Sequence, residues 1–245
     1  METNKITSRQ NPTLKAWVEL RKQKDAETFI VEGTHLVEMA AHNNLLIAYI
    51  SISEDNPFPQ LPHYVIHPSV SEKLSEMKTG PGVFGLCKKK PQVVDYTKPI
   101  LFLDDLRDPG NVGTMMRSAL AFDFINVVAS PNSVHFYNEK VLTGGQGAHF
   151  VLNINTQNFA DLYEVAKAKG YKLVVTTLEE AQPLVNLYQD AKIILVIGNE
   201  ARGVSPSILA LADLKLKIEM SDKIESLNAG IAASIIMHHH YRLKH

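Results

Sequence analysis

The stretch "ILFLDDLRDPGNVGTMMRSALAFDFINVVA", Ile100 to Ala129, decides the fold. An apolar run, "ILFL" (100–103), is followed by a polar loop, a helical segment and a second apolar run, "INVVA" (125–129). Strands that stay apolar on every residue, with helices between them, indicate a parallel sheet covered on both faces. The same pattern returns at "KLVVTT" (172–177) and "KIILVI" (192–197). "LKLKIEM" (214–220) differs, because Leu214, Leu216, Ile218 and Met220 alternate with charged residues. That suits a strand with one exposed face. The expected class is α/β with a mostly parallel sheet.

The helix inside the opening stretch raises a question of charge. With a start near Val112, residues Val112, Met115, Met116, Ala119 and Leu120 form an apolar stripe, and Arg117 stands among apolar neighbours. A guanidinium keeps its charge in a protein and is rarely buried unpaired. Because Cβ atoms lean toward the helix N-terminus, Arg117 is expected to reach back over Gly113 toward Asp108 and Asn111. Gly110 and Gly113 read as clearance there, and the pocket would suit a phosphate. The alternative is a buried ion pair with Asp104, Asp105 or Asp108.

Two further stretches invite a ligand reading. "GNEARG" (198–203) follows an apolar strand and precedes Ser205 and Pro206, a natural cap and first helical residue. It lacks the Lys-Ser/Thr of a Walker loop, yet it lies where open α/β sheets bind ligands. "IESLNAGIAASIIMHHHYR" (224–242) passes from loop to helix, with Ser226 and Asn228 as possible caps. Its small residues would admit another backbone closely.

Other motifs read as structure. "GPGVFG" (80–85) matches a dinucleotide fingerprint by letter, but a helix precedes it and a strand follows, so a turn is expected. His238, His239 and His240 point about 100° apart on a helix, so they cannot share one metal ion. A solvated helix end is expected there.

The first third reads as a separate small α/β unit. Asn11 and Pro12 open a helix carrying Leu14, Trp17, Val18 and Leu20. "TFIVEG" (28–33), "LLIAYISIS" (45–53), "HYVIH" (63–67) and "GVFGLC" (82–87) read as strands, with helices over "THLVEMAAHNN" (34–44) and "PSVSEKLSEMK" (68–78). Thr34 is a possible cap. The lysine- and proline-bearing segment near 88–98 marks the boundary, giving domains 1–90 and 99–245 joined by a linker, 91–98. Lys5, Arg9, Lys15, Arg21, Lys22 and Lys24 outnumber Glu2 and Glu19 near the N-terminus, a possible phosphate-contacting face.

The whole-chain balance sets limits. The 245 residues carry a net charge of −1, so there is no global field for nucleic acid, although a local patch is enough. No apolar run approaches bilayer length, and the single cysteine, Cys87, fits a reducing cytoplasm.

Three motifs in order resemble those of the SpoU (TrmH-type) RNA 2′-O-ribose methyltransferases of the SPOUT superfamily. They are "DDLRDPGNVGTMMRSALAF", with Asn111 and Arg117; "ILVIGNEARGVS", with Gly198, Asn199, Glu200 and Gly203; and "LKIEMSDKIESLNAGIAASI", with Ile218, Met220, Ser226, Leu227 and Asn228. The N-terminal third is similar to that family's substrate-binding domain, so the resemblance covers nearly the whole chain. It implies a C-terminal domain with a deep trefoil knot, an exception among folds. It also implies S-adenosylmethionine as cofactor, a homodimer, and an RNA substrate, with ribosomal RNA favoured over tRNA because of the added N-terminal domain. The resemblance assigns cofactor contacts to Thr176, Gly198, Ile218, Met220 and Leu227. It assigns the catalytic role to Arg117, with Asn111, Glu200, Ser226 and Asn228 ordering the site. The guanidinium pKa argues for Arg117 as an orienting and charge-stabilising group rather than a base. Gly144, Gly145, Gln146 and Asp123 depart from the family pattern, which bears on substrate contacts. The rival expectations are a tRNA enzyme, a non-catalytic RNA-binding or assembly factor of the same fold, and a nucleotide-dependent doubly wound enzyme.

Overall fold

The computed structural model describes residues 3–23, 26–75, 80–189 and 192–245. Glu2, Lys24 and the segment 76–78 of the expected third helix lie outside them. The chain divides into two units, Met1–Lys90 with Tyr137–Leu142, and Pro91–Phe136 with Thr143–His245.

In unit 1 the elements are β1 (Thr3–Ile6), α1 (Pro12–Leu20), β2 (Thr28–Glu32), α2 (Thr34–His42), β3 (Leu46–Ser51), β4 (His63–Ile66), α3 (Pro68–Leu74) and β5 (Val83–Lys88). The sheet order is β1-β4-β3-β5-β2, with β1, β4 and β3 parallel and β5 antiparallel to both its neighbours. Asn11 caps α1 by accepting from the Thr13 amide at 2.8 Å, and Pro12 takes the first helical position. Leu14 and Trp17 of α1 enter a core with Ile30, Ile50, Ile66 and Phe84, while Val18 and Leu20 pack at its margin. Thr34 does not cap α2; it is the first helical residue, after Gly33 at φ +102. Cys87 is buried, and burial pushes its thiol well above the usual range.

The N-terminal basic face needs correction. The Arg21 side chain is nearly buried and turned inward, with Nη1 3.0 Å from Glu139 and Nη2 3.8 Å from Glu32. Lys5 pairs with Glu54, and Lys22 with Glu19. Three of the six cations are thus paired within the unit.

In unit 2 the strands are β6 (Ile100–Asp104), β7 (Asn126–Ala129), β8 (Asn153–Thr156), β9 (Lys172–Thr176), β10 (Gln182–Pro183), β11 (Ile193–Gly198) and β12 (Leu214–Lys217). They form one sheet of order β10-β12-β9-β11-β6-β7-β8, parallel throughout. The helices are α4 (Pro109–Ala121), α5 (Glu139–Gly145, begun in the segment grouped with unit 1), α6 (Phe159–Ala168), α7 (Pro206–Leu209) and α8 (Ala229–Lys244). The continuous apolar strands are buried on every residue of β6, β7 and β11. Two-sided burial of this kind is what unalternating strands require.

Several boundaries move from the sequence reading. Helix α4 begins at Pro109, three residues before Val112, because Asp108 accepts from the Asn111 amide at 2.7 Å and proline suits the first position. Strand β12 stops at Lys217, since its neighbours end at Thr176 and Pro183 and leave Ile218 without a ladder partner. Ser205 holds the cap position of α7 but makes no side-chain cap; its amide instead donates to Asp104 Oδ2 at 2.7 Å. Residues 91–98 fold into unit 2 rather than forming a free linker. The Asn126 side chain bonds both the amide and the carbonyl of Asp95, and the Tyr171 hydroxyl donates to the Lys98 carbonyl at 2.6 Å.

His240 is buried against Phe124, ring centroids 5.2 Å apart, so the histidine triplet is not a wholly solvated end. Asp123 adopts φ +60 just past α4, a left-handed position that favours glycine. Its departure from the family pattern therefore concerns how the helix ends. Gly144 has a packing reason too: an added Cβ would stand 3.2 Å from the Gly113 Cα. The space beside Gly113 is filled by backbone and is not clearance for a ligand.

Candidate functional site

Parallel strands place all their carboxyl ends at one pole of the sheet, where open α/β sheets bind ligands. At that pole of unit 2 the ends of β6, β9, β11 and β12 bring four loops together. A cavity of about 780 Å³ opens between them. Its lining includes Asn111, Thr176, Gly198, Glu200, Ile218, Met220, Ser226, Leu227 and Asn228. Nine of the ten residues singled out in the sequence therefore surround one space.

Gly198 ends β11, and the chain folds back over it. A Cβ at Gly198 would lie 2.2 Å from the Gly203 carbonyl carbon and the Val204 amide nitrogen, so only glycine fits. Asn199 holds this return. It exchanges backbone hydrogen bonds with Gly203, its Oδ1 accepts from the amides of Ala201 and Arg202, and its Nδ2 donates to the Asp105 carbonyl at 2.8 Å. Arg202 pairs with Asp105, which also receives Arg107. Asp104 and Asn199 were named in the sequence without the bracing role they have here: one holds the Ser205 amide and the other the return over Gly198.

A hydrogen-bonded chain crosses the mouth of the cavity. Asn111 Nδ2 donates to Glu200 Oε1 at 3.0 Å, and Asn111 Oδ1 accepts from Asn228 Nδ2 at 2.7 Å. Asn228 Oδ1 in turn caps α8, accepting from the amides of Gly230 and Ile231. Three motifs, with Asn111 standing 89 residues from Glu200 and 117 from Asn228, are thus tied through one buried amide. Helix α8 runs close along α4: a Cβ on Gly230 would stand 3.3 Å from the Asn111 carbonyl oxygen, and Ser118 and Ser234 share a hydroxyl bond of 2.7 Å. The small residues of α8 serve that approach. Ser226 is exposed at the rim and caps nothing.

Arg117 does not join this group. Asn111 lies in the first turn of α4, not in a loop, and Arg117 follows six residues later, about 240° round the helix. The two side chains leave the helix on different faces. Arg117 is exposed, and among the described residues it makes no hydrogen bond or ion pair. The buried ion pair is overturned as well, because Asp104, Asp105 and Asp108 are engaged elsewhere.

The remaining polar groups suit a nucleoside-like ligand. Thr176 Oγ1 is held by the Val196 carbonyl at 3.2 Å. Ile218, Met220 and Leu227 stand outside any element, and among the described residues their backbone amides and carbonyls make no hydrogen bond. Ile197, Leu216 and Ile236 supply an apolar wall. Free backbone donors and acceptors facing an apolar slot are what a purine and its ribose need.

Comparison with known proteins gives a consistent picture. Residues 98–238 match the model of the SpoU rRNA Methylase family. The chain is 29% identical over 242 residues to the 23S rRNA (guanosine(2553)-2′-O)-methyltransferase RlmP of Bacillus subtilis, covering 96% of this chain and 98% of the relative. Its fold matches an AdoMet-bound rRNA methyltransferase from Sinorhizobium meliloti at a TM-score of 0.87, with 21% identity and 98% of each chain covered. A TrmH-family putative RNA methyltransferase structure from Porphyromonas gingivalis matches at 0.82, with 26% identity over 94% of this chain and 96% of the other.

Proposed function

The chain belongs to the SpoU rRNA methylase family, and from that premise we propose that it methylates a ribose 2′-hydroxyl of ribosomal RNA with S-adenosylmethionine. The observation that carries this reading is the cavity in which the three motifs meet through Glu200, Asn111 and Asn228. The full-length relative that acts on 23S rRNA favours ribosomal RNA over tRNA.

When bound, S-adenosylmethionine supplies an electrophilic sulfonium methyl group. Thr176, Gly198, Ile218, Met220 and Leu227 would hold it, through the free backbone groups and the apolar wall of the cavity. Glu200 and Asn228 fix the Asn111 amide in one orientation, so the substrate side of the cavity is set before RNA arrives. Arg117 orients the 2′-hydroxyl and the adjacent phosphate and stabilises the charge that grows as the hydroxyl proton leaves. Its exposed position on α4 means that it enters the reaction once RNA or a second copy of the chain docks there.

That second copy belongs to the reading: a homodimer formed at the α4–α8 face, where Ile231 is 50% exposed beside small residues. The return of 199–204 over Gly198, with α8 packed behind, supports a knotted C-terminal domain. Unit 1 serves as the RNA-binding domain, and a ribosomal RNA substrate places the enzyme in the cytoplasm. Among the described residues no helix is long and apolar enough to cross a membrane.

Mapping 2′-O-methyl sites in total RNA, with and without this gene, tests the reaction. Loss of one rRNA site is expected; loss of a tRNA site instead would overturn the rRNA assignment. Calorimetry with S-adenosylmethionine is expected to show one site per chain, and absence of binding would turn the reading to a non-catalytic factor.

A further inference from the structure

The parallel sheet of unit 2 also gathers the amino ends of its strands, at the pole away from the cavity. Along β12, β9, β11 and β6, which are neighbours, the starts carry Asp213, Lys172, Lys192 and Lys98. Helix α6 runs back across the sheet and delivers Lys167 and Lys169 to the same end. These residues form a connected surface. The Lys172 amide donates to the Lys192 carbonyl at 2.9 Å, Lys192 Nζ donates to the Lys169 carbonyl at 3.0 Å, and Tyr171 bonds the Lys98 carbonyl. Tyrosines alternate with the cations: Lys169 Nζ lies 5.2 Å from the Tyr96 ring centre and Lys167 Nζ 5.5 Å from that of Tyr163. A second cavity, about 430 Å³, opens here between Tyr163, Lys167, Tyr171, Lys172, Leu211 and Asp213.

Two carboxylates offset part of this charge and leave the five lysines in excess. Asp213 accepts from the Leu173 amide at 2.8 Å and pairs with Lys172 at 3.5 Å, and Asp95 is held by Thr97. The lysines are spread along three adjacent strand starts and the end of α6, which suits a row of phosphates rather than one anion. Lysine also acts as a point charge for phosphate, where base reading favours the planar fork of arginine. The tyrosines serve to hold the lysines: Tyr171 is buried, and the Tyr96 and Tyr163 rings each lie under an ammonium, so the contact offered is to phosphate and not to bases.

We infer that this lysine–tyrosine pole is a second RNA contact, gripping the sugar-phosphate backbone of the substrate about 17 Å or more from the methylated ribose, one strand length away. The inference rests on RNA being the substrate. It gives a chain of net charge −1 a local footing on a polyanion, separate from the cavity.

The test uses the full chain and an unmodified 23S rRNA transcript, with affinity measured by filter binding across a salt series. The Lys167→Gln/Lys169→Gln/Lys172→Gln variant is expected to bind about tenfold more weakly near physiological salt, with the log–log salt slope reduced by about 2. The matching triple arginine variant should restore both, which a merely structural role would not predict. S-adenosylmethionine affinity and melting temperature should stay at wild-type values. Unchanged RNA affinity and slope in the glutamine variant would overturn the inference and leave the pole as a docking face for an acidic protein. Wild-type protein that binds RNA through these lysines but methylates none would overturn the reaction instead.

Discussion

The two poles of one sheet are built from different materials. At the carboxyl pole, loops cross each other at backbone distance, and single atoms decide the fit, as at Gly198 beneath Gly203 and Val204. At the amino pole, long lysines lie over tyrosine rings, and no position demands one residue type. A parallel sheet forces this asymmetry, because its strand ends and helix starts converge on one side only. Geometry is concentrated where chemistry is proposed, and charge where a polymer is held.

The contrast would break first at Arg117. Arg117→Ala is expected to lower methyl transfer by about 10³-fold with unchanged S-adenosylmethionine affinity in calorimetry. Wild-type turnover in a folded Arg117→Ala protein would remove its catalytic role. Gly198→Ala comes next. Its Cβ would overlap the backbone that crosses it, so a loss of about 3 kcal/mol in chemical denaturation is expected, together with loss of cofactor binding. An alanine variant as stable as the parent would show that the crossing can relax.

Asn111→Ala removes the link between Glu200 and Asn228. A loss of about 2 kcal/mol and a fall in kcat of tenfold to a hundredfold are expected, with KM for RNA nearly unchanged. A change confined to KM would make Asn111 a binding residue instead.

A test of unit 2 away from either pole lies in His149. Burial lowers its pKa to about 4, and its Nε2 is 2.8 Å from the Phe136 carbonyl. The unfolded chain takes a proton near pH 6.5 that the folded chain refuses. Stability should therefore fall as pH drops from 6.5 to 4, by about 3 kcal/mol in all. His149→Gln, which keeps a donor, should flatten that part of the pH–stability curve. The smallest effect is expected at the amino pole, where each single lysine-to-glutamine change should shift stability by less than about 0.5 kcal/mol.

Legibility in the sequence followed burial. The central strands β6, β7, β9 and β11 were readable because both their faces are covered, so each carries an unbroken apolar run. The three strands that escaped notice, β1, β8 and β10, are short and stand at sheet edges. One pairing partner and a wet side leave "TNKI", "NINT" and "QP" no reason to be apolar. In the site, residue types were legible and directions were not. Asn111 and Arg117 share a helix, yet the phase between them sends one into the cavity and the other to solvent.

By itself the sequence determined the parallel α/β class and the capping of α1 by Asn11, since local periodicity and short polar motifs encode these directly, while the residues expected at the cavity came from the family resemblance. Only the tertiary structure decided that Gly113 meets Gly144 instead of a ligand, that Arg21 turns inward, and that Asn111 ties Glu200 to Asn228. Those outcomes depend on which distant segments arrive at the same place, and that is a property of packing that no single stretch of chain carries.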